Sequence, residues 1–282
     1  MSGPGIIAFQ GRPGAYSDLA CRTARPGWTT LPCQTFAQAI GAVHDGLADQ
    51  AMLACENSLA GRVPDIHALL PQAGLFIVGE HFQRVEHCLM GIAGSTLHDA
   101  RRVHTHPVAM AQIRGVIGEL GLEPVVEFDT AGAAEMVRAW GRKEDVAVAS
   151  ALAAELNGLE ILRRNVEDAS HNTTRFYIAS RRPKSLPPAG PDYMTTLLFR
   201  INNHAGALYK ALGGFATTGV NMTRLESYML EGSFSATQFL LDVEGHPEAP
   251  PLAQALRELS FFAAQQEILG VYHASPFRRQ AA

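Results

Sequence analysis

The stretch Arg181 to Pro191, RRPKSLPPAGP, does most to limit what this chain can fold into. Its four prolines each fix φ and remove a backbone donor, so neither a helix nor a central strand can run through it. It cuts the 282 residues into a long and a short part, and places a boundary after residue 182 with a linker over 183–192. Two domains follow, which also fits a length of roughly 150 residues per domain.

Ahead of the linker, short β-like runs alternate with Ala-rich helical patterns, the signature of an α/β architecture. Strands are expected at Ile6 to Gln10, Gln50 to Ala54, Leu75 to Gly79, His87 to Ile92, Val125 to Phe128 and Asp145 to Ser150. Helices are expected at Gln34 to Gly46, Pro107 to Gly118, Thr130 to Trp140 and Ser150 to Leu156, with Ser17 or Asp18 capping another after the turn Gly11 to Gly14. Residues 84–174 hold a complete alternation of their own, and Arg175 to Ser180 reads as a strand returning to the first half. That pattern predicts two lobes with a cleft between them, a common place for a small-molecule site.

Beyond the linker, strands at Thr195 to Ile201, Val220 to Leu230, Phe234 to Val243 and Glu267 to Tyr272 enclose helices at Gly206 to Thr217 and Pro251 to Leu259. With a turn at Glu231-Gly232, the order is β-α-β-β-α-β, a ferredoxin-like module over 193–282.

Composition narrows the function. With 27 acidic against 23 basic residues, the net charge of -4 gives no electrostatic reason to bind nucleic acid or an anionic membrane. The four cysteines lie far apart with no C-x-x-C pair, which reads as ordinary reduced thiols. A signal peptide and a long apolar span are both lacking, so a cytoplasmic protein is expected. His104 and His106 lie two apart, but no third ligand stands at a zinc-motif spacing, and no metal site is expected.

Three polar clusters remain as candidate chemistry. Glu56-Asn57-Ser58 follows a small-residue strand, where side chains face either a crevice or the backbone donors of a capping turn. Gly11 to Gly14 is either a tight strand-to-helix turn or an anion cradle. Asn172-Thr173-Thr174-Arg175-Phe176 packs an amide, hydroxyls and a guanidinium ahead of an apolar strand; arginine holds carboxylates in two-pronged fashion, though a polar lead-in turn has the same composition. Nucleophile elbows, H-E-x-x-H and kinase-type motifs do not occur.

Taken together, these segments resemble the prephenate dehydratase family. ENSLAGRV (Glu56 to Val63) is similar to its Glu-Asn-Ser-x-x-Gly-x-Val, THPVAMAQ (Thr105 to Gln112) to its Ser-His-Pro-x-Ala-x-x-Gln, HNTTRF (His171 to Phe176) to Asn-x-Thr-Arg-Phe, and FDTAGAA (Phe128 to Ala134) to a Ser/Thr-Thr-Ala segment. GRPGAYS (Gly11 to Ser17) follows the glycine turn, with Arg12, Ala15 and Tyr16 departing from it. The resemblance implies a two-lobed, periplasmic-binding-protein-like catalytic region that converts prephenate to phenylpyruvate without any cofactor. It assigns catalytic roles to Thr174, Arg175, Asn57 and Glu56, and substrate contacts to Ser58, His106, Gln112, Thr130, Ala131, Asn172 and Phe176.

The second module looks like an ACT domain, through HAGALYKAL (His204 to Leu212). That resemblance implies L-phenylalanine as an allosteric ligand in a homodimer or homotetramer, held by Gly206, Ala207, Leu208, Asn221, Glu226 and Ser227. Where the family often has Glu-Ser-Arg-Pro, Glu226-Ser227 is followed here by Tyr228-Met229, which leaves the strength of the phenylalanine response open. The competing readings are an arogenate dehydratase, a non-catalytic solute-binding protein, and an amino-acid sensor with a decayed catalytic half.

Overall fold

The chain opens with alternating β1 (Ile6–Gln10), α1 (Tyr16–Ala24), β2 (Thr29–Cys33), α2 (Phe36–His44) and β3 (Gln50–Asn57) in the computed structural model, which describes residues 4–189, 192–229 and 236–280. A two-residue strand β4 (Gly61–Arg62) folds back on the end of β3, and α3 (Pro64–Leu69) starts on its proline. After β5 (Phe76–Arg84) come β6 (Cys88–Gly91), β7 (Arg102–Thr105), α4 (Pro107–Ala111), α5 (Arg114–Leu120), β8 (Glu123–Val126), α6 (Thr130–Trp140), β9 (Asp145–Ala149), α7 (Ala151–Asn157) and β10 (Glu160–Arg163). The chain then returns in β11 (Thr173–Ser180).

Two sheets result, in the orders β2-β1-β3-β11-β5, with β4 beside β3, and β10-β6-β9-β7-β8. In the second sheet the side chains alternate between two buried faces. Cys88, Met90, Ala147 and Ala149 pack with Ala131, Ala134 and Val137 of α6, while Leu89, Val146 and Val148 pack with Ile113 and Val116 near α5. Apolar burial on both faces explains why these strands read as continuous hydrophobic runs.

Several local expectations change. Neither Ser17 nor Asp18 is the cap of α1; that position is Ala15, and the Asp18 carboxylate reaches back to accept the Gly14 N–H at 2.9 Å. The helix expected over Pro107 to Gly118 breaks at Gln112 and Ile113. There the Gln112 carbonyl accepts from Asp168 N at 2.7 Å, and the Asp168 carboxylate takes the Arg114 and Gly115 N–H groups, both at 2.9 Å, starting a new helix. The strand expected to end at Phe128 ends at Val126, leaving Phe128 87% exposed. His106 lies past the end of β7 and caps α4, so it shares no strand face with His104.

The chain divides into two compact units, one of residues up to Leu69 together with His81–Phe176, the other of Leu70–Glu80 and residues from Tyr177 onward. This division does not follow the boundary expected after residue 182. In the second unit the Tyr177 hydroxyl donates to Asp242 at 2.6 Å, and Arg278 grips Glu80 through 2.7 and 2.8 Å bonds, so the start of β5 and the end of β11 are held by its own residues.

That second unit contains β12 (Tyr193–Ile201), α8 (Ala207–Thr217), β13 (Met222–Met229), β14 (Ala236–Glu244), α9 (Pro250–Phe262), β15 (Ala263–His273) and α10 (Phe277–Gln280). Its sheet is antiparallel in the order β13-β14-β12-β15, and Leu197, Phe199, Leu241 and Val243 pack against Ala211, Phe215, Leu252 and Leu259 of the two long helices. The turn expected at Glu231-Gly232 lies outside the described residues, as does Pro191 of the proline-rich stretch. Among the described residues no helix is long and apolar enough to cross a membrane.

The turn after β1 serves close packing. Gly14 has φ +86°, and a Cβ there would stand 2.8 Å from the Ala153 Cα of α7. Its carbonyl accepts from Ser150 Oγ at 2.5 Å, while Arg12 pairs with Asp129 and Glu135 at 3.1 and 2.8 Å. Gly14→Ala is expected to lower stability by about 1–3 kcal/mol, because strain and backbone overlap act together. An unchanged urea midpoint would contradict this packing.

Candidate active site

Asn57, the last residue of β3, is oriented by its own turn. Its Oδ1 accepts the backbone N–H groups of Leu59 and Ala60, at 3.0 and 2.9 Å, which leaves Nδ2 to point the other way. That nitrogen donates to Asn172 Oδ1 at 2.8 Å and to Thr174 Oγ1 at 3.0 Å. The orientation of every later group follows from this one. Asn172, presenting its oxygen to Asn57, donates its nitrogen to Gln112 Oε1 at 2.9 Å. Gln112 Oε1 is therefore an acceptor for His87 Nε2–H, also at 2.9 Å. The other ring nitrogen of His87 then accepts from the Tyr16 hydroxyl at 2.7 Å.

The consequence for Thr174 is direct. Its oxygen is an acceptor from Asn57, so its own proton is free to donate elsewhere, and no acceptor for it occurs among the described residues. Gln112 spends only its oxygen on the network, which leaves its amide N–H groups for a ligand. Gln112 also borders a groove of about 510 Å³ lined by Leu59, Ala60, Pro107, Val108, Ala111, Asp168 and Ala169.

Other expected site residues fall into place unequally. Arg175 is 2% exposed and donates to Glu56 at 2.9 Å, with its guanidinium 5.9 Å from the Phe82 ring. Ser58 spends both functions of its hydroxyl on backbone, donating to His171 O at 2.9 Å and accepting from Thr173 N at 3.0 Å. It is a stitch between chain segments. His106 Nδ1 accepts from Val108 N at 3.2 Å and caps α4 beside the groove. Thr130 is half-buried at the start of α6, whereas Ala131 and Phe176 have buried side chains, 0% and 1% exposed. These last three side chains make no hydrogen bond to the Thr174 network.

Sequence reasoning passed over Tyr16 and His87. Tyr16 registered only as a departure within GRPGAYS, and His87 only as the edge of an apolar run; no motif spacing links positions 16, 87 and 112. Burial tunes both. It raises the Tyr16 phenol well above its ordinary value, with Cys88, Glu167 and Glu86 adding to the effect, so the residue stays a neutral donor. It lowers the His87 imidazole, against the opposing influence of the Gln112 bond and Glu167. Burial likewise lowers His81 and His106.

These depressed imidazoles make a prediction about acid stability. Below about pH 6.5 the unfolded chain protonates the three histidines while the folded chain keeps them neutral. The unfolded state binds more protons, so stability falls as pH drops through that window. The urea midpoint should be lower at pH 5.5 than at pH 7.5, with a shallower dependence for His87→Gln; a midpoint that rises on acidification would contradict neutral burial.

In the second unit, Gly206 has φ +76° and caps α8, and a cavity of about 560 Å³ brings Gly206, Ala207, Leu208, Glu226 and Ser227 together with Asn203 and Tyr209. Asn221 is not with them. It lines a separate cavity of about 690 Å³ with His246 and Arg278, because it precedes β13 at the opposite end from Glu226 and Ser227.

Comparison with known proteins places this geometry in a class. Residues 7–184 match the family model described as prephenate dehydratase, and the chain belongs to that family. Among its relatives, "Bifunctional N-acyl-homoserine lactone acylase/prephenate dehydratase" of Komagataeibacter europaeus is 87% identical over 280 residues, covering 99% of this chain and 100% of that protein. "Arogenate dehydratase/prephenate dehydratase 1, chloroplastic" of Arabidopsis thaliana is 36% identical, covering 94% of this chain and 71% of its own length. The crystal structure of a prephenate dehydratase from Arthrobacter aurescens in complex with L-Phe superposes with a TM-score of 0.86 at 29% identity, covering 95% of this chain and 90% of that one.

Proposed function

We propose that this chain converts prephenate to phenylpyruvate, water and carbon dioxide, and that the Thr174 hydroxyl, whose proton has no acceptor among the described residues, carries the reaction. The ring C–O bond and the ring-to-carboxylate C–C bond both break, and the freed electrons complete an aromatic ring. The departing oxygen gains negative charge as it leaves. A hydroxyl whose lone pair is already engaged by Asn57 is directed to donate to that oxygen where the charge develops. Threonine is too weak an acid to surrender its proton easily, so water or a relay supplies the proton that completes the leaving water. Gln112 N–H, bordering the groove, and His106, which precedes the lining residue Pro107, orient the remaining polar groups. Arg175 gives Glu56 a cationic partner, so this carboxylate is not set uncompensated against a dianionic substrate. Arogenate undergoes the same chemistry, and the same groups suit it.

A second reading is amide hydrolysis of N-acyl-homoserine lactones. The Komagataeibacter europaeus relative carries both activities in its name, and the groove's exposed Leu59 and Val108 offer an apolar wall to an acyl chain. Thr174→Ala, assayed in parallel on prephenate, arogenate and an N-acyl-homoserine lactone, separates the readings. Prephenate turnover should fall roughly 10²-fold or more, the scale of losing one transition-state donor, with the fold retained. Near-normal phenylpyruvate formation by the variant would sink the role given to Thr174.

For the C-terminal part we read an ACT module after a linker at 183–192, following a two-lobed catalytic region over 1–182, in a cytoplasmic homodimer or homotetramer. Support comes from the β-α-β-β-α-β order and from the cavity at the start of α8, where backbone N–H groups suit an amino-acid carboxylate. The L-Phe in the Arthrobacter aurescens structure points to the same ligand. Millimolar L-phenylalanine should lower the initial rate of prephenate turnover, and Glu226→Ala should weaken that response. Identical rate curves with and without phenylalanine would count against the module's regulatory role.

A further inference from the structure

The hydrogen-bonded chain that starts at Asn57 runs past Gln112 to two residues outside the groove. We propose that Tyr16 and His87 are positioning residues for the Thr174 hydroxyl, acting through Gln112, Asn172 and Asn57 to hold it in place. This rests on the dehydratase reading and adds to it the groups that brace the amides holding the donor whose orientation Asn57 sets.

The argument is one of donor and acceptor counting. A neutral imidazole has one N–H and one lone pair. Because Gln112 offers oxygen at 2.9 Å, the proton must sit on Nε2, and Nδ1 must find a donor. Tyr16 supplies it at 2.7 Å, with its ring edge-on to the imidazole at 5.5 Å between centroids. The opposite tautomer would set the Nε2 lone pair against the Gln112 oxygen. Gln112 cannot turn over to relieve this without presenting nitrogen to the Asn172 nitrogen, and Asn172 cannot follow because Asn57 is fixed by Leu59 N and Ala60 N.

The ring itself has little freedom. His87 N donates to Glu167 at 2.8 Å and His87 O accepts from Val166 N at 3.0 Å, pinning the backbone on both sides. Tyr16 also has a second acceptor, Glu86 O, at 3.0 Å. If the imidazole becomes doubly protonated, the phenol hydrogen turns to that carbonyl, and the oxygen accepts from Nδ1–H. Everything from Nε2 onward stays as it was. The groups facing His87 are Tyr16, Gln112 and Glu167, with Cys88 and Glu86 beside Tyr16, and neither Tyr16 nor His87 lines the groove.

Two substitutions at one position test the idea, because the amide nitrogen of glutamine reaches where Nε2 stands and that of asparagine reaches only the Nδ1 position. With prephenate as substrate and the full chain as enzyme, His87→Asn should lower kcat roughly ten- to a hundredfold with little change in KM, while His87→Gln keeps most of kcat. In the Thr174→Ala background, His87→Asn should lower kcat no further, since its effect passes through that hydroxyl. Equal losses in the two His87 variants, or a full further loss on top of Thr174→Ala, would overturn the positioning role and leave the dehydratase reading standing. Failure of the unsubstituted chain to form phenylpyruvate would overturn both.

Discussion

Two backbone N–H groups, those of Leu59 and Ala60, decide the chemistry of this protein by both pointing at one oxygen of Asn57. An amide side chain is ambiguous until something fixes which end is which. Here the backbone does so, and the choice propagates through Asn172, Gln112 and His87 to the Tyr16 phenol. Burial keeps the phenol and the imidazole neutral, so the network carries orientation and no net charge. Hydrogen-bonded chains of this kind gain rigidity from their mutual satisfaction, and the groups left over, the Thr174 proton and the Gln112 N–H, lie at its site end.

Much of the architecture was legible because it rests on local rules. Thr130–Trp140 is helical over the span its pattern predicts, with Asp129 as its cap and Gly141 in the left-handed conformation at its end. The apolar runs of β6 and β9 announce buried strands. What escaped was set by distant partners. β2, with Pro32 inside it, is a strand only because β1 lies beside it in parallel. The break between α4 and α5 is dictated by Asp168, more than fifty residues further on. Asp18 looked like a cap and is instead the acceptor for a glycine upstream of the helix.

The site was legible as a set of residue types and illegible as a geometry. Asn57, Gln112, Asn172 and Thr174 come together as one network. Glu56 and Arg175, both assigned catalytic roles by the resemblance, pair with each other. Ser58, adjacent to Asn57 in a recognisable motif, spends its hydroxyl on the main chain. Motif adjacency says which residues belong together; only the fold says which of their atoms remain available. Tyr16 and His87 could be found only by following bonds outward, since their link to the site passes through side chains far apart in the chain.

The Ser58 stitch has a consequence for how the site comes into being. It joins chain segments more than a hundred residues apart, closing a loop that contains the whole second sheet. Closing so long a loop costs entropy that only the packed second sheet can offset. The Thr174 hydroxyl therefore has its partners only once the first sheet is complete. A nascent or partly unfolded chain, however much secondary structure it holds, has no half-formed version of this site to misfire.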